Sequence, residues 1–169
     1  MTINEIRIKP DASDLRIGVA QSRYHGWATD RLLRGAVERF KTLGGREASL
    51  LVAPASGAWE LVAVAAALCE RDDLDGVVAL GVVIRGETPH FDYICDGVTR
   101  GLTELTVKTG LPIGFGVLTC ENREQVEARC GGEVGNKGAE AVDAVVESAL
   151  ARDAIRRVQF ETGSGRTSE

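Results

Sequence analysis

At 169 residues and 18.0 kDa, with 44% hydrophobic and 27% charged residues, the chain suits one domain that buries about 70% of its unfolded surface, with no room for a second large one. Its longest apolar run, residues 77–84 (VVALGVVI), is far short of the roughly 20 residues that cross a bilayer. Twenty Lys and Arg against 25 Asp and Glu leave a net charge of -5, so no global basic field gathers nucleic acid, although local anion sites stay open.

The opening MTINEIRIKP lacks the apolar centre of a signal peptide, and a cytoplasmic protein is expected. Within it, residues 3–8 (INEIRI) alternate in the manner of a strand. Residues 1–14 thus read as an arm that pairs with a neighbouring subunit, ahead of a domain over 15–160. Short β-branched runs then alternate with segments of helical period, the pattern of parallel strands joined by crossover helices. The first strand spans 16–21 (RIGVAQ), and its helix carries Leu32, Leu33, Ala36, Val37 and Phe40 before stopping at Gly44 and Gly45. The second strand spans 48–53 (ASLLVA), followed by the loop PASGAW and an apolar helix over 60–70.

Residues 77–84 form the third strand, continuously apolar as expected of a central strand covered on both faces. The loop RGETPH leads into a helix over 91–108, in which Gly97 and Gly101 leave a groove open to another backbone, and Gly110 ends it. The fourth strand spans 112–119. Asn122 with Gln125 then resembles a capping box for a short helix ending at Arg129. A Gly-rich link (CGGEVG) precedes the last helix, which begins near Asn136 with the stripe Val142, Val145, Val146, Ala149 and Leu150. The tail 161–169 (ETGSGRTSE) has nothing to bury and reads as mobile.

Of only eight aromatic residues, Tyr24, Trp27, Trp59, Phe91 and Tyr93 fall in or just after the loops leaving the first three strands. That edge is where open α/β sheets bind ligands. A flat heterocycle or a subunit contact would each account for the rings. In residues 85–93 (RGETPHFDY), Gly86 frees the backbone, Thr88 offers a hydroxyl and a helix start offers N–H groups, which together suit an anion such as phosphate. His90, one of two histidines, sits there either as a general acid or base or as a simple cap. Glu60 either accepts from ligand hydroxyls or favours its helix N-terminus. Lys137 opposes the dipole of the helix it opens, and is either paired to an anion or solvated.

The cysteines at 69, 95, 120 and 130 lie 26, 25 and 10 residues apart, which gives no CxxC pair and no zinc set, and they read as reduced thiols. No Walker sequence, complete dinucleotide fingerprint or G-x-S-x-G elbow occurs.

Six blocks in order carry a resemblance to a known family: SRYH (22–25), SGAWE (56–60), GVVIRGETPHFDY (81–93), TGLPIGFGVLT (109–119), EQVEAR (124–129) and GNKG (135–138). Over residues 15–151 the chain resembles the lumazine synthases of riboflavin biosynthesis. The resemblance implies a flavodoxin-like three-layer α/β sandwich with a four-stranded parallel sheet between helices. It implies a homopentamer with active sites shared between neighbours, a 60-subunit icosahedral shell in some members, and riboflavin synthase as a candidate partner. The implied reaction condenses 5-amino-6-(D-ribitylamino)uracil with 3,4-dihydroxy-2-butanone 4-phosphate to 6,7-dimethyl-8-ribityllumazine, phosphate and water, with no metal and no organic cofactor.

By position, the resemblance assigns ring stacking to Tyr24, the ribityl chain to Ala58, Trp59 and Glu60, backbone contacts to Val83 and Ile84, and proton movement to His90. Gly86, Glu87 and Thr88 would hold phosphate with Arg129, which a neighbouring subunit supplies together with Phe115 and Lys137. Two positions depart from the family pattern: Tyr24 replaces the usual phenylalanine or tryptophan, and His25 the usual asparagine. The short link before the last helix is associated with shells. A non-catalytic flavin-binding or shell-forming relative is the competing reading. A flavodoxin-type electron carrier is disfavoured, since it needs no histidine and arginine beside its phosphate.

Overall fold

A computed structural model describes residues 5–159. Four parallel strands, β1 (Ile17–Ser22), β2 (Leu50–Ala55), β3 (Gly76–Ile84) and β4 (Ile113–Cys120), form one sheet in the order β2-β1-β3-β4. Five helices connect and cover it: α1 (Gly26–Thr42), α2 (Leu61–Cys69), α3 (His90–Thr109), α4 (Arg123–Arg129) and α5 (Lys137–Arg157). This is the flavodoxin-like α/β arrangement. The chain runs outward from β1 to β2, then returns across β1 to β3, so the sheet has its topological switch point between β1 and β3.

β3 is buried along its whole length until Ile84, because helices lie on both faces. Its side chains alternate between two cores, as the strand period of two requires. Val78, Leu80 and Val82 join Leu32, Phe40, Val142 and Val146 beneath α1 and α5. Val77, Ala79 and Val83 join Leu61, Ala65, Val98 and Leu102 beneath α2 and α3. On the α5 side, Gly114 lets the helix ride on bare strand backbone: a Cβ there would overlap the Ala141 carbonyl oxygen.

The helix ends follow their local chemistry. Gly110 ends α3 in the left-handed conformation (φ 66°) with its N–H on the Thr106 carbonyl, as a glycine C-cap does. Asn122 Oδ1 accepts from the Gln125 N–H (2.9 Å), while Gln125 Oε1 accepts from the Glu121 N–H (2.9 Å), one residue earlier than in a standard capping box. Asn136 Oδ1 accepts from the N–H groups of Gly138 and Ala139 to open α5.

Three expectations need correction. The link CGGEVG is a small antiparallel hairpin, β5 (Cys130–Gly132) with β6 (Gly135–Asn136), made possible by left-handed φ at Gly131 and Gly135. The groove at Gly97 and Gly101 takes the side chains of Trp59 and Val62, not a backbone. Trp27 stands on α1 against the core, under Arg123, rather than at the ligand rim. Residues 5–8 form no strand within the chain; residues 3 and 4, and the tail 161–169, lie outside the described residues. Among the described residues no helix is long and apolar enough to cross a membrane.

Candidate active site

At the switch point, beyond the carboxyl ends of β1 and β3, a cleft of about 880 Å³ opens. Tyr24, His25, Gly57, Ala58, Trp59, Glu60, Val82, Val83, Ile84, Gly86, Thr88, His90, Phe91, Tyr93 and Ile94 line it. Tyr24 is fixed from behind: its N–H donates to the Ser56 carbonyl (3.2 Å) and that of Arg23 to Ala55 (2.8 Å), which carries the β1–β2 pairing past the strand ends. His25 then turns the chain in the left-handed conformation (φ 58°), the only non-glycine among the described residues to do so. Its carbonyl receives the N–H groups of Ala28 (2.8 Å) and Thr29 (3.1 Å) and starts α1. The rings of Tyr24 and His25 meet edge to face, 4.4 Å between centroids. Burial pushes the His25 imidazole below its ordinary 6.5, so it sits neutral at the wall of the cleft.

Glu60 precedes α2 and makes no side-chain cap. Trp59 lies across Gly97 of α3. His90 is the first residue of α3, exposed and without a side-chain hydrogen bond among the described residues. The loop that presents it is clamped by Arg85. Its Nη1 and Nη2 donate to the two Asp92 oxygens (3.1 and 2.9 Å), its Nε to Glu121 (2.8 Å), and its guanidinium lies 4.1 Å from the Phe91 ring centroid. Beside this guanidinium the Asp92 carboxyl is held below its usual range. Sequence reading gave Arg85 no role. Its partners at positions 92 and 121 come together only through the fold.

A second, separate groove of about 410 Å³ runs along β4, α4 and α5, lined by Phe115, Thr119, Arg129, Lys137 and Glu140 among others. Arg129 Nη1 donates to the Gln125 carbonyl (3.0 Å), and among the described residues its guanidinium has no carboxylate partner. Lys137 Nζ binds both Glu140 oxygens (2.8 and 2.7 Å). That resolves the open question at Lys137: the cation that opposes the helix dipole is neutralised by an acid in the first turn.

The candidate residues therefore sort onto two surfaces. Tyr24, Ala58, Trp59, Glu60, Val83, Ile84, Gly86, Thr88 and His90 share the cleft, while Phe115, Arg129 and Lys137 share the groove. Glu87 lines neither. Tyr24, Trp59 and Tyr93 are 65, 55 and 71% exposed and Phe115 46%, so both surfaces keep large rings uncovered in a single chain. No group of three His, Cys, Asp or Glu among the described residues is placed to hold a metal ion.

A family model described as 6,7-dimethyl-8-ribityllumazine synthase matches residues 14–153. The chain belongs to that family. It is similar to proteins of that name from Thermus thermophilus (46% identical over 146 residues, 86% of this chain and 93% of the relative) and Streptomyces coelicolor (49% over 141 residues, 82% and 86%). A third, from Aquifex aeolicus, is 42% identical over 141 residues, 83% of this chain and 92% of the relative. The lumazine synthase family is a family of transferases, and both surfaces lie wholly inside the matched span.

Proposed function

We propose that the protein condenses 5-amino-6-(D-ribitylamino)uracil with 3,4-dihydroxy-2-butanone 4-phosphate, releasing inorganic phosphate and two waters as 6,7-dimethyl-8-ribityllumazine forms. What supports this most is the sorting of the candidate residues onto a cleft with rings and an imidazole and a groove whose guanidinium has no carboxylate partner among the described residues. A cleft and a groove on different parts of one chain complete each other when a second copy docks head to tail, and such contacts form a ring where the rotation between copies closes. The reading is a homopentamer, in a 60-subunit shell or free, in the cytoplasm, with riboflavin synthase as a candidate partner.

In this reading the pyrimidine stacks on Tyr24, and the ribityl chain lies along Ala58, Trp59 and Glu60, whose carboxylate accepts from its hydroxyls. The phosphate ester sits at Gly86 and Thr88, opposite Arg129 of the next copy. Holding amine and ketone face to face makes Schiff-base formation effectively intramolecular, and this supplies most of the acceleration. His90, with no side-chain hydrogen bond among the described residues, takes and returns protons at the carbinolamine and in phosphate elimination. The ribitylamino nitrogen then closes the ring on the remaining carbonyl with loss of the second water.

The test mixes the purified protein with both substrates and follows lumazine fluorescence. His90→Ala and Arg129→Ala are each expected to be impaired. When the two variants are unfolded and refolded together in equal amounts, about one quarter of the sites regain both groups from different chains. Recovery of activity in the mixture supports a site shared between copies, and no recovery contradicts it. Tight binding of lumazine without turnover would favour the non-catalytic relative.

A further inference from the structure

Helix α4 has seven residues, too few to hold itself in place, so tertiary contacts decide how it is rolled about its axis. Positions 123, 126 and 129 follow one another at spacings of three, so at 3.6 residues per turn Arg123 and Arg129 flank Val126 by about 60° on either side. Val126 is fully buried and acts as the pivot. A roll of about 10° about that pivot carries side chains ~5–6 Å from the axis through about 1 Å, and an error of that size at a reacting group costs much of its effect. On one flank Arg129 reaches the groove. On the other, the Arg123 guanidinium lies over the Trp27 ring, 4.3 Å from its centroid, and its Nε is oriented by Glu127 (2.8 Å).

We infer that Arg123, stacked on Trp27, is a positioning residue: it fixes the roll of α4 and so aims Arg129 into the groove. Trp27 is the right anchor because it is the second residue of α1 and packs against the core. Arg123 itself touches neither the cleft nor the groove. The inference rests on the proposed function in one respect, that Arg129 holds the phosphate ester.

The test is a double-mutant cycle in the full-length enzyme, read by the KM for the phosphate ester and by competition with inorganic phosphate. Arg123→Ala is expected to raise that KM about three- to fivefold, the range of an exposed cation–ring contact, with kcat within about twofold. Trp27→Leu, which keeps the apolar packing, should do the same, and Arg123→Lys should recover part of the loss. In an Arg129→Ala background, Arg123→Ala should add nothing. An unchanged KM in Arg123→Ala while Arg129→Ala raises it overturns the inference alone, as does a rise that persists in the Arg129→Ala background. An Arg129→Ala enzyme with unchanged affinity for both phosphate compounds overturns the assignment of the groove and the inference with it.

Discussion

Gly97 of α3 lies directly under the indole of Trp59: a Cβ at Gly97 would overlap Cζ3 and stand 3.0 Å from Cη2. The ring that walls one side of the cleft therefore owes its position to a missing methyl group on a neighbouring helix. Gly97→Ala gains about 1 kcal/mol of helix propensity but meets an overpacking cost of about 1–3 kcal/mol, for a small net loss of stability. Its larger effect is expected on binding, as the indole is pushed into the space assigned to the ribityl chain. Thermal unfolding should show a small change in Tm, while the KM for the ribityl-bearing substrate rises; an unchanged KM would show that Trp59 does not shape that subsite.

His90→Ala should slow turnover without abolishing it, because the proposed mechanism gives positioning the larger share of the acceleration. A loss in kcat of about 10²-fold is expected, the lower end of what acid–base help supplies, with both KM values little changed. Single-turnover kinetics would separate this from slowed product release. A variant with no activity above the uncatalysed condensation would make His90 indispensable and contradict the assignment of most of the barrier to positioning.

His25 gives a pH signature in stability. Burial lowers its folded-state pKa below the ordinary 6.5, so below that pH the unfolded chain takes up the proton more readily. The contribution of the neutral imidazole is thus full above 6.5 and is lost as pH falls through the lower, folded value. Asparagine tolerates the same left-handed backbone. Tm measured across mildly acidic pH should fall less steeply in His25→Asn than in the wild type, and parallel curves would refute a half-buried neutral histidine.

Burial raises all four thiols above their ordinary range, and Cys120 and Cys130 are themselves buried. Since the thiolate is the reactive form, Cys120 and Cys130 should stay unmodified when the folded protein is treated with an alkylating reagent near neutral pH. All four should react once it is unfolded. Peptide mass mapping that finds adducts on Cys120 or Cys130 of the native protein would count against this packing.

The sheet was readable because its strands are apolar runs of the right length between helices of clear period; the third strand, expected over 77–84, forms as Gly76–Ile84. The Gly110 stop and the Asn122–Gln125 cap were equally legible, since each depends on residues within a few positions. What escaped were features that need the fold. The Arg85 clamp joins residues 85, 92 and 121, and the Trp27–Arg123 stack joins the two helices that leave β1 and β4. The β5–β6 hairpin was hidden because its glycines signal a flexible link as readily as a turn. At the candidate site, residue types and loop positions drew attention to the aromatic rim and to His90. The division into cleft and groove came from the family resemblance alone, because spacing along a chain says nothing about which surfaces face apart.

That division has a consequence for how the activity scales. If each working site takes His90 from one chain and Arg129 from the next, a site exists only at a contact between chains, and a chain released from the ring carries none. Specific activity should then fall on dilution wherever the assembly comes apart, and residues far from either surface would affect the rate through the subunit equilibrium.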